Sequence, residues 1–396
     1  MRSTDIIGLT FLRYFMSRNL LRLTSIMFYI YYMWILMVKY NSIFLVSLIP
    51  TTSLLGYLII LFPEGYILDR FPREKVMFYS SVFMSLVYFS LFIFHYLFWI
   101  YIVACLSSLL SNISSDIFST LIKELVSYNN MSKAISLVEA GRGFSEIIGI
   151  VLGGISISFL SQYFVTLIAF LSFVSIILSI PKKIVTMNKT NKYGYKIIIK
   201  VIRIILGFLL IGMIINGLFI SLDVYAAGLF HIVLHTNSVY YTLFLLGFSL
   251  GSFLGGLIGI KISRYLENVY FISLSIAFFG LCFLIISLSK VPIIDIGIVT
   301  ILGLFSAFTN IPLTSKLIKI IPNEILGRVN SLATIFLASS SPIMALIYGF
   351  LAKFFPLTNV IFMNSILMFL LSLPTYYFLK DIFSYEENDI RFKMDH

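Results

Sequence analysis

Three charged residues stand close together inside an otherwise apolar segment of the sequence. Glu139, Arg142 and Glu146 are spaced i, i+3 and i+7, so a helix over 132–160 would carry them on one side. Facing lipid at mid-membrane, each would cost about 2.5 to 3.5 kcal/mol, so they must face protein, pair or be partly neutral. Two interpretations stay open. The residues form a structural Glu-Arg-Glu set, or Glu146 titrates and Arg142 controls its proton affinity.

Further polar side chains lie inside other apolar segments. Asp116 has Asn112 one helical turn away on the same face, and its carboxylate makes it the next candidate for proton chemistry. A single amide in a membrane helix more often forms an interhelical hydrogen bond than a ligand contact, so the carboxylates rank above the amides. The remaining candidates for a substrate or proton pathway are Asn216, Asp223 and Asn310.

The sequence lacks the patterns that metal binding or enzymatic catalysis would need. The histidines have no metal-ligand spacing, and Gly-rich phosphate loops, HExxH and GxSxG motifs are absent. Cys105 and Cys282 each lie inside a long apolar run, outside any CxxC motif. We therefore predict two buried thiols, no metal site, no cofactor and no enzymatic activity.

The composition excludes a water-soluble or disordered protein. Of 396 residues, 60% are hydrophobic and 11% charged, and the mean hydropathy is +1.02, whereas a soluble protein has about 25% charged residues. At about 20 residues per membrane helix, the sequence has room for about twelve helices and no large extramembrane domain. The predicted spans are 20–38, 43–63, 76–97, 99–122, 132–160, 163–180, 204–229, 238–260, 269–289, 292–315, 329–352 and 358–379. Residues 6–15, which have no cleavage site, are predicted to form a separate interfacial helix.

The basic residues predict the orientation in the membrane. The net charge is +11, and Lys and Arg lie mostly in short connections. With the amino terminus inside, about 24 fall on the cytoplasmic side and about 3 outside. We predict a multi-pass protein of the cell membrane with both termini cytoplasmic, contacting membrane lipids and binding no nucleic acid.

The chain is predicted to consist of two similar six-helix halves. Leu121-Ile122-Lys123 matches Leu317-Ile318-Lys319 at an offset of about 195 residues, Gly154 matches Gly349, and Gly65 has a counterpart in Gly255. An even number of spans per half gives both repeats the same orientation. The predicted divisions are a bundle over 1–180, a cytoplasmic linker over 181–203, a second bundle over 204–380 and a cytoplasmic tail over 381–396.

Two segments resemble motifs of the major facilitator superfamily. The connection with Gly65, Asp69, Arg70 and Arg73 resembles the GxLaDrxGRk loop between helices two and three, with Pro72 in place of a glycine. This resemblance implies a cytoplasmic gating loop that latches the two halves. Residues 322–332, PNEILGRVNSL, resemble the beginning of helix eleven in the exporter branches of that superfamily.

A row of small residues on the fifth span has two interpretations. Gly141, Gly149, Gly153 and Gly154 resemble the GxxxGPxxGG motif of the superfamily's antiporters, with Ile150 in place of the proline. Close helix packing with no antiporter meaning is the alternative. The arginine that proton-coupled antiporters usually carry in helix four is missing from 107–115.

The resemblance implies an all-α membrane protein with twelve transmembrane helices in two pseudo-symmetric six-helix bundles. We predict a monomeric secondary transporter that works by alternating access and exports small amphiphilic or apolar compounds, with protons as the coupling ion. An uptake symporter or uniporter for a small metabolite is the alternative. A non-transporting scaffold or an intramembrane enzyme has no supporting feature in the sequence.

Overall fold

The computed structural model describes residues 8–61, 63, 67, 71–126, 131–181, 195–321 and 326–384, and they form helices without any strand. The first six α-helices are α1 (Leu9–Tyr40), α2 (Ile43–Leu61), α3 (Arg73–Phe89), α4 (Leu97–Leu125), α5 (Met131–Phe159) and α6 (Phe164–Leu178). The next seven are α7 (Tyr195–Ile204), α8 (Leu206–Gly228), α9 (Ser238–Leu266), α10 (Val269–Leu288), α11 (Pro292–Ile320), α12 (Leu326–Leu351) and α13 (Leu357–Ser384). This architecture confirms the predicted all-α class.

Within the described residues, eleven helices are long and apolar enough to cross a membrane. α5 is not one of the eleven, and it is the helix that carries Glu139, Arg142 and Glu146. α7 is short, and it carries basic residues on one face and apolar residues on the other. The number of twelve spans therefore stays a prediction.

α1 differs from its predicted form. Its 32 residues form one helix from Leu9 to Tyr40, so the predicted break between an interfacial helix and a first span is wrong. The polar residues near the expected break are buried rather than interfacial, because Ser17 and Arg18 are 0% and 3% exposed. Both bind partners on other helices, and these bonds remove the cost of placing them inside protein.

The chain forms two compact units. The first consists of Met1–Leu36 and Leu48–Lys189, and the second of Met37–Ser47 and Thr190–His396. The second unit includes α7, whose Val201 and Ile202 are buried in an apolar cluster with Ile272 and Ile320. The predicted linker, 181–203, therefore ends in residues that belong to α7, a helix packed in the second unit.

Three buried hydroxyls join helices of the first unit. Ser17 on α1, Ser81 on α3 and Ser175 on α6 have their Oγ atoms 2.8 Å (Ser17 to Ser175), 3.0 Å (Ser81 to Ser175) and 3.3 Å (Ser17 to Ser81) apart. We refer to them as the serine trio. Small residues let the helices approach, and each hydroxyl donates and accepts without a charge.

A close glycine contact occurs at equivalent positions of the two units, as the predicted repeat expects. In the first unit, an added Cβ on Gly56 of α2 would collide with the backbone of Cys105 on α4. In the second, one on Gly251 of α9 would collide with the backbone of Thr300 on α11. The two pairs are related by the predicted offset of about 195 residues. The row continues along α9 at Gly247 and Gly255, so backbone meets backbone along the α9–α11 contact.

Candidate functional site

A buried arginine of α1, Arg18, contacts both α4 and α5 in the first unit. Arg18 donates from Nε to Ser115 Oγ of α4 at 3.0 Å and from one Nη to Val138 O of α5 at 3.2 Å. Its guanidinium carbon also lies 5.9 Å from the centre of the Phe118 ring. One side chain of α1 therefore holds α4 and α5 together.

One turn further along α1, a second arginine pairs with the central carboxylate of α5. Arg22 Nη2 lies 3.1 Å from Glu146 Oε2, with the side chains 20% and 39% exposed. Arg22 Nε is buried and has no hydrogen-bond partner in the described part of the chain. The Arg22 guanidinium therefore contacts Glu146 through Nη2, and its Nε–H could donate one more hydrogen bond.

This pair differs from the expected arrangement on α5. Both interpretations of the sequence considered only Arg142 as the cation beside Glu146, whereas Arg22, from another helix, also lies at hydrogen-bond distance from it. Glu139 and Arg142 are exposed residues of α5. They lie close enough to Arg18 and Arg22 to interact electrostatically.

Small residues on α5 allow α1 to approach and bring the pair together. A Cβ on Gly149 would lie 3.0 Å from Ile26 Cβ, and one on Gly153 would lie 3.4 Å from Ile30 Cβ. A Cβ on Gly141 would meet the ring of Phe15, which also lies on α1. Gly154 is buried. Gly141, Gly149 and Gly153 of the predicted row therefore pack against α1, as the close-packing interpretation expects.

The predicted residues of α4 lie near this cluster in different roles. Asp116 is half-buried, next to Ser115, and interacts electrostatically with Arg18 and Arg142. Asn112 is half-buried and donates to Ser108 O of its own helix at 2.8 Å. We therefore group Asp116 with Glu146 as carboxylates beside arginine and treat Asn112 as locally bonded.

Sequence reasoning missed Arg18 and Arg22, because it counted them among the charges that set orientation. A signal was present: the two arginines are four residues apart and lie within what became one helix. That spacing places them on one face, as for the acidic residues of α5. Charges at such a spacing on two apolar segments indicate a pairing across helices.

Removing Arg18 is expected to destabilise the first unit. R18A removes the hydrogen bonds from α1 to Ser115 Oγ and to Val138 O and leaves a cavity at a buried position, and we expect the free energy of unfolding to fall by about 3 kcal/mol. R18K should restore only part of the loss, because an ammonium cannot donate in two fixed directions. The measurement is thermal unfolding in detergent. R13A is the control, since Arg13 donates to Ile177 O at an exposed position; equal losses in R18A and R13A would contradict this role.

The predicted gating loop is described only at its end. Gly65, Asp69 and Arg70 lie outside the described residues. Arg73 is the first residue of α3, and Pro72 precedes it with φ −58° and ψ 122°. Proline fits this position because its fixed φ suits a chain entering a helix. The latch itself stays a prediction.

A cavity of about 280 Å³ lies inside the second unit. Apolar side chains form most of its wall, and besides aliphatic residues they include four aromatic rings: Phe208, Phe219, Phe248 and Phe279. Its polar lining residues are Asn216, Ser306, Thr309, Asn310, Thr314 and Thr375. None of the described lining residues is charged. The volume is close to the lower limit of about 300 Å³ for ligand pockets, so it suits a small uncharged molecule.

Two of the predicted amides line this cavity, and they are bonded differently. Asn216 on α8 donates to Leu337 O of α12 at 3.2 Å and so joins two helices. Within the described residues, Asn310 on α11 makes one longer side-chain bond, 3.4 Å, to Ser306 Oγ of its own helix. Asp223, two turns beyond Asn216, is half-buried and not part of the lining. Asn310 is therefore the amide best placed to bind a ligand.

Comparison with known proteins identifies the family. The family model described as Major Facilitator Superfamily matches residues 14–345. No curated protein shows significant sequence similarity to the chain.

Solved structures of similar fold include a D-xylose–proton symporter (TM-score 0.72, 12% identity, 93% of this chain and 97% of that chain covered). A nucleoside transporter (0.71, 12%, 95% and 100%) and an auto-inhibited POT family peptide transporter (0.73, 11%, 94% and 96%) are also similar. At these identities the likeness shows the fold, and with the family match it indicates a transporter rather than an enzyme. The chain therefore belongs to the Major Facilitator Superfamily.

Proposed function

We propose that this transporter carries small, uncharged amphiphilic compounds, binds them in the cavity of the second unit and couples their movement to protonation of Glu146. The observation that carries the proposal is the lining of the cavity, which combines apolar and aromatic side chains with hydroxyls and amides and whose described residues include no charge. An ionic cargo would be left without a counter-charge in such a lining.

The lining provides two kinds of contact for such a cargo. Phe219 and Phe279 meet edge to face with ring centres 5.1 Å apart and form an apolar corner. Thr309 and Asn310 on α11 add a hydroxyl and an amide. A molecule with an apolar body and one or two polar groups would fill the corner and hydrogen-bond to α11.

The coupling step is proposed at the Arg22–Glu146 pair. While Glu146 is ionised, its charge and that of Arg22 offset each other at 3.1 Å. A proton on Glu146 removes the negative charge and frees the guanidinium. Because the pair joins α1 to α5, gain and loss of the proton would weaken and restore a contact between helices.

Export is the direction we propose, with the cell membrane as the location and both termini cytoplasmic. The support is sequence resemblance: the glycine row of α5 and residues 322–332 are similar to exporter motifs. The test is transport into and out of vesicles of defined orientation, with and without a pH gradient, using a panel of uncharged amphiphiles. Proton-driven movement toward the extravesicular side of inside-out vesicles would contradict export, and no transport of any uncharged compound would contradict the cargo class.

The polar residues of the same lining favour a second candidate, uptake of a small hydroxylated metabolite. Six hydroxyl or amide side chains in one cavity could bind several hydroxyl groups of a single molecule. Counterflow with sugars and polyols in the same vesicles separates the two candidates. Exchange of a sugar, together with no response to amphiphiles, would favour uptake.

Replacing Asn310 by leucine is expected to lower cargo affinity without harming the fold. Leucine has the same branching of heavy atoms but cannot hydrogen-bond, so the loss of one bond predicts about a tenfold higher Kd. The measurement is cargo binding followed by thermal stabilisation. N216L is the matched comparison, and it should lower the unfolding temperature as well, because Asn216 bonds Leu337 O across helices. Unchanged affinity in N310L would place the cargo elsewhere.

A further inference from the structure

The second unit contains a fully buried carboxyl group that plays no part in the cavity. Asp295 lies in the first turn of α11 and is 0% exposed. Neither of its carboxyl oxygens has a hydrogen-bond partner in the described part of the chain. An ionised carboxylate in this state would lack both water and a counter-charge.

The polar groups closest in sequence to Asp295 are already bonded elsewhere. The Ser289 hydroxyl lies near enough to the Asp295 carboxyl group to interact with it, but it donates to Val291 O at 3.3 Å and accepts from Val291 N at 3.2 Å. The amides of Ile294 and of Asp295 itself both donate to Val291 O, and Pro292 has no N–H. The first turn of α11 therefore gives this carboxyl group few free donors.

The helices that pack against α11 bring no charge to this end of it. Those helices are α9 and α10, and residues 238–260 and 269–289 contain no Asp, Glu, Lys, Arg or His. Their titratable groups are Tyr240, Tyr241, Tyr270 and Cys282, and the connection before α11 adds Lys290, which is exposed. On α11 itself the next charged residue is Lys316, at the opposite end.

The balance of forces then favours the neutral acid. A helix N-terminus stabilises a negative charge, but only weakly compared with the desolvation cost of an unpaired, fully buried carboxylate. Such a group takes up a proton rather than stay ionised. A carboxylic acid also needs fewer donors, because it presents an O–H and one carbonyl oxygen.

We infer that Asp295 is a proton-binding site of this protein, which holds its proton in the present conformation and exchanges it when the first turn of α11 meets water. Only the link to transport rests on the proposed function. The bound proton itself does not depend on Glu146 or on any cargo.

The test is infrared spectroscopy of the cargo-free protein at neutral pH, where protonated and ionised carboxyl groups absorb at different frequencies. We expect a carboxylic-acid C=O band in the wild type that is lost in D295N, which has nearly the shape of the neutral acid. E267Q is the matched control, because Glu267 is exposed and lies 2.6 Å from Lys319 Nζ. E267Q should lose carboxylate absorption and keep the acid band. An acid band that survives in D295N, or its absence from the wild type, overturns the inference.

A second measurement on the wild type does not depend on the folding of a variant. Dicyclohexylcarbodiimide reacts with protonated carboxyl groups in apolar surroundings, so we expect an adduct on the peptide that contains Asp295, with loss of the same band. E146Q should show both signals unchanged, even if it no longer couples transport to protons. Loss of the band in E146Q would mean that the bound proton belongs to Glu146, and the inference would fail while the proposed function stood.

Discussion

G251A is expected to prevent the second unit from folding to its native packing. An added methyl group would collide with the carbonyl oxygen and carbon of Thr300, and backbone atoms cannot turn aside as a flexible side chain can. Separation of α9 from α11 would also open their contacts at Gly247 and Gly255, so we expect a loss of at least about 3 kcal/mol. The measurement is the yield of monodisperse protein and its unfolding temperature.

G256A is the matched control for this effect. Gly256 lies on the same helix, but its added Cβ would meet nothing within 4 Å. Alanine has a higher helix propensity than glycine by about 1 kcal/mol, so G256A should be as stable as the wild type or slightly more so. If G251A and G256A unfold at the same temperature, the tight contact between α9 and α11 does not exist.

E146Q is expected to abolish coupling between cargo and protons while cargo exchange continues. Glutamine still accepts a hydrogen bond from Arg22 through its amide oxygen, so the link between α1 and α5 is retained. It cannot ionise, and the change of charge that we propose to drive the cycle is lost. Reconstituted vesicles should show cargo counterflow without proton movement.

The control for this variant is E267Q, which removes a carboxylate paired with Lys319 on the surface of the second unit. It should transport protons and cargo as the wild type does, because an exposed ion pair contributes little. Proton movement retained in E146Q would exclude Glu146 from coupling and would leave Asp116 as the next carboxylate to test.

The class of fold follows from the sequence because the membrane restricts the options. Long apolar segments must form helices in lipid, where every backbone amide needs a partner within the chain. The repeat could also be predicted from the sequence, and the same offset of about 195 residues relates Gly56 to Gly251. The sequence did not predict that α1 is one continuous helix. The polarity of Ser17 and Arg18 suggested an interface, and only the partners on α3, α4, α5 and α6 show why they are buried.

The candidate site was predicted in part for a related reason. Intramembrane charge is costly, so Glu146 was identified from its position alone. The partner was not, because Arg22 is 124 residues away in sequence, and contacts of that range depend on how helices pack. The same holds for Asn216 and Asn310, which differ only in the bonds that the fold provides.

The serine trio has a consequence for the proton coupling that we propose. Serine hydroxyl groups neither gain nor lose protons at physiological pH. The junction of α1, α3 and α6 therefore does not depend on the protonation that we propose at Glu146. α1 is bonded at Ser17 by hydroxyl groups and, five residues later, at Arg22 by a carboxylate. If the proposed protonation occurs, only the second of these contacts changes, and the first keeps α1 in place.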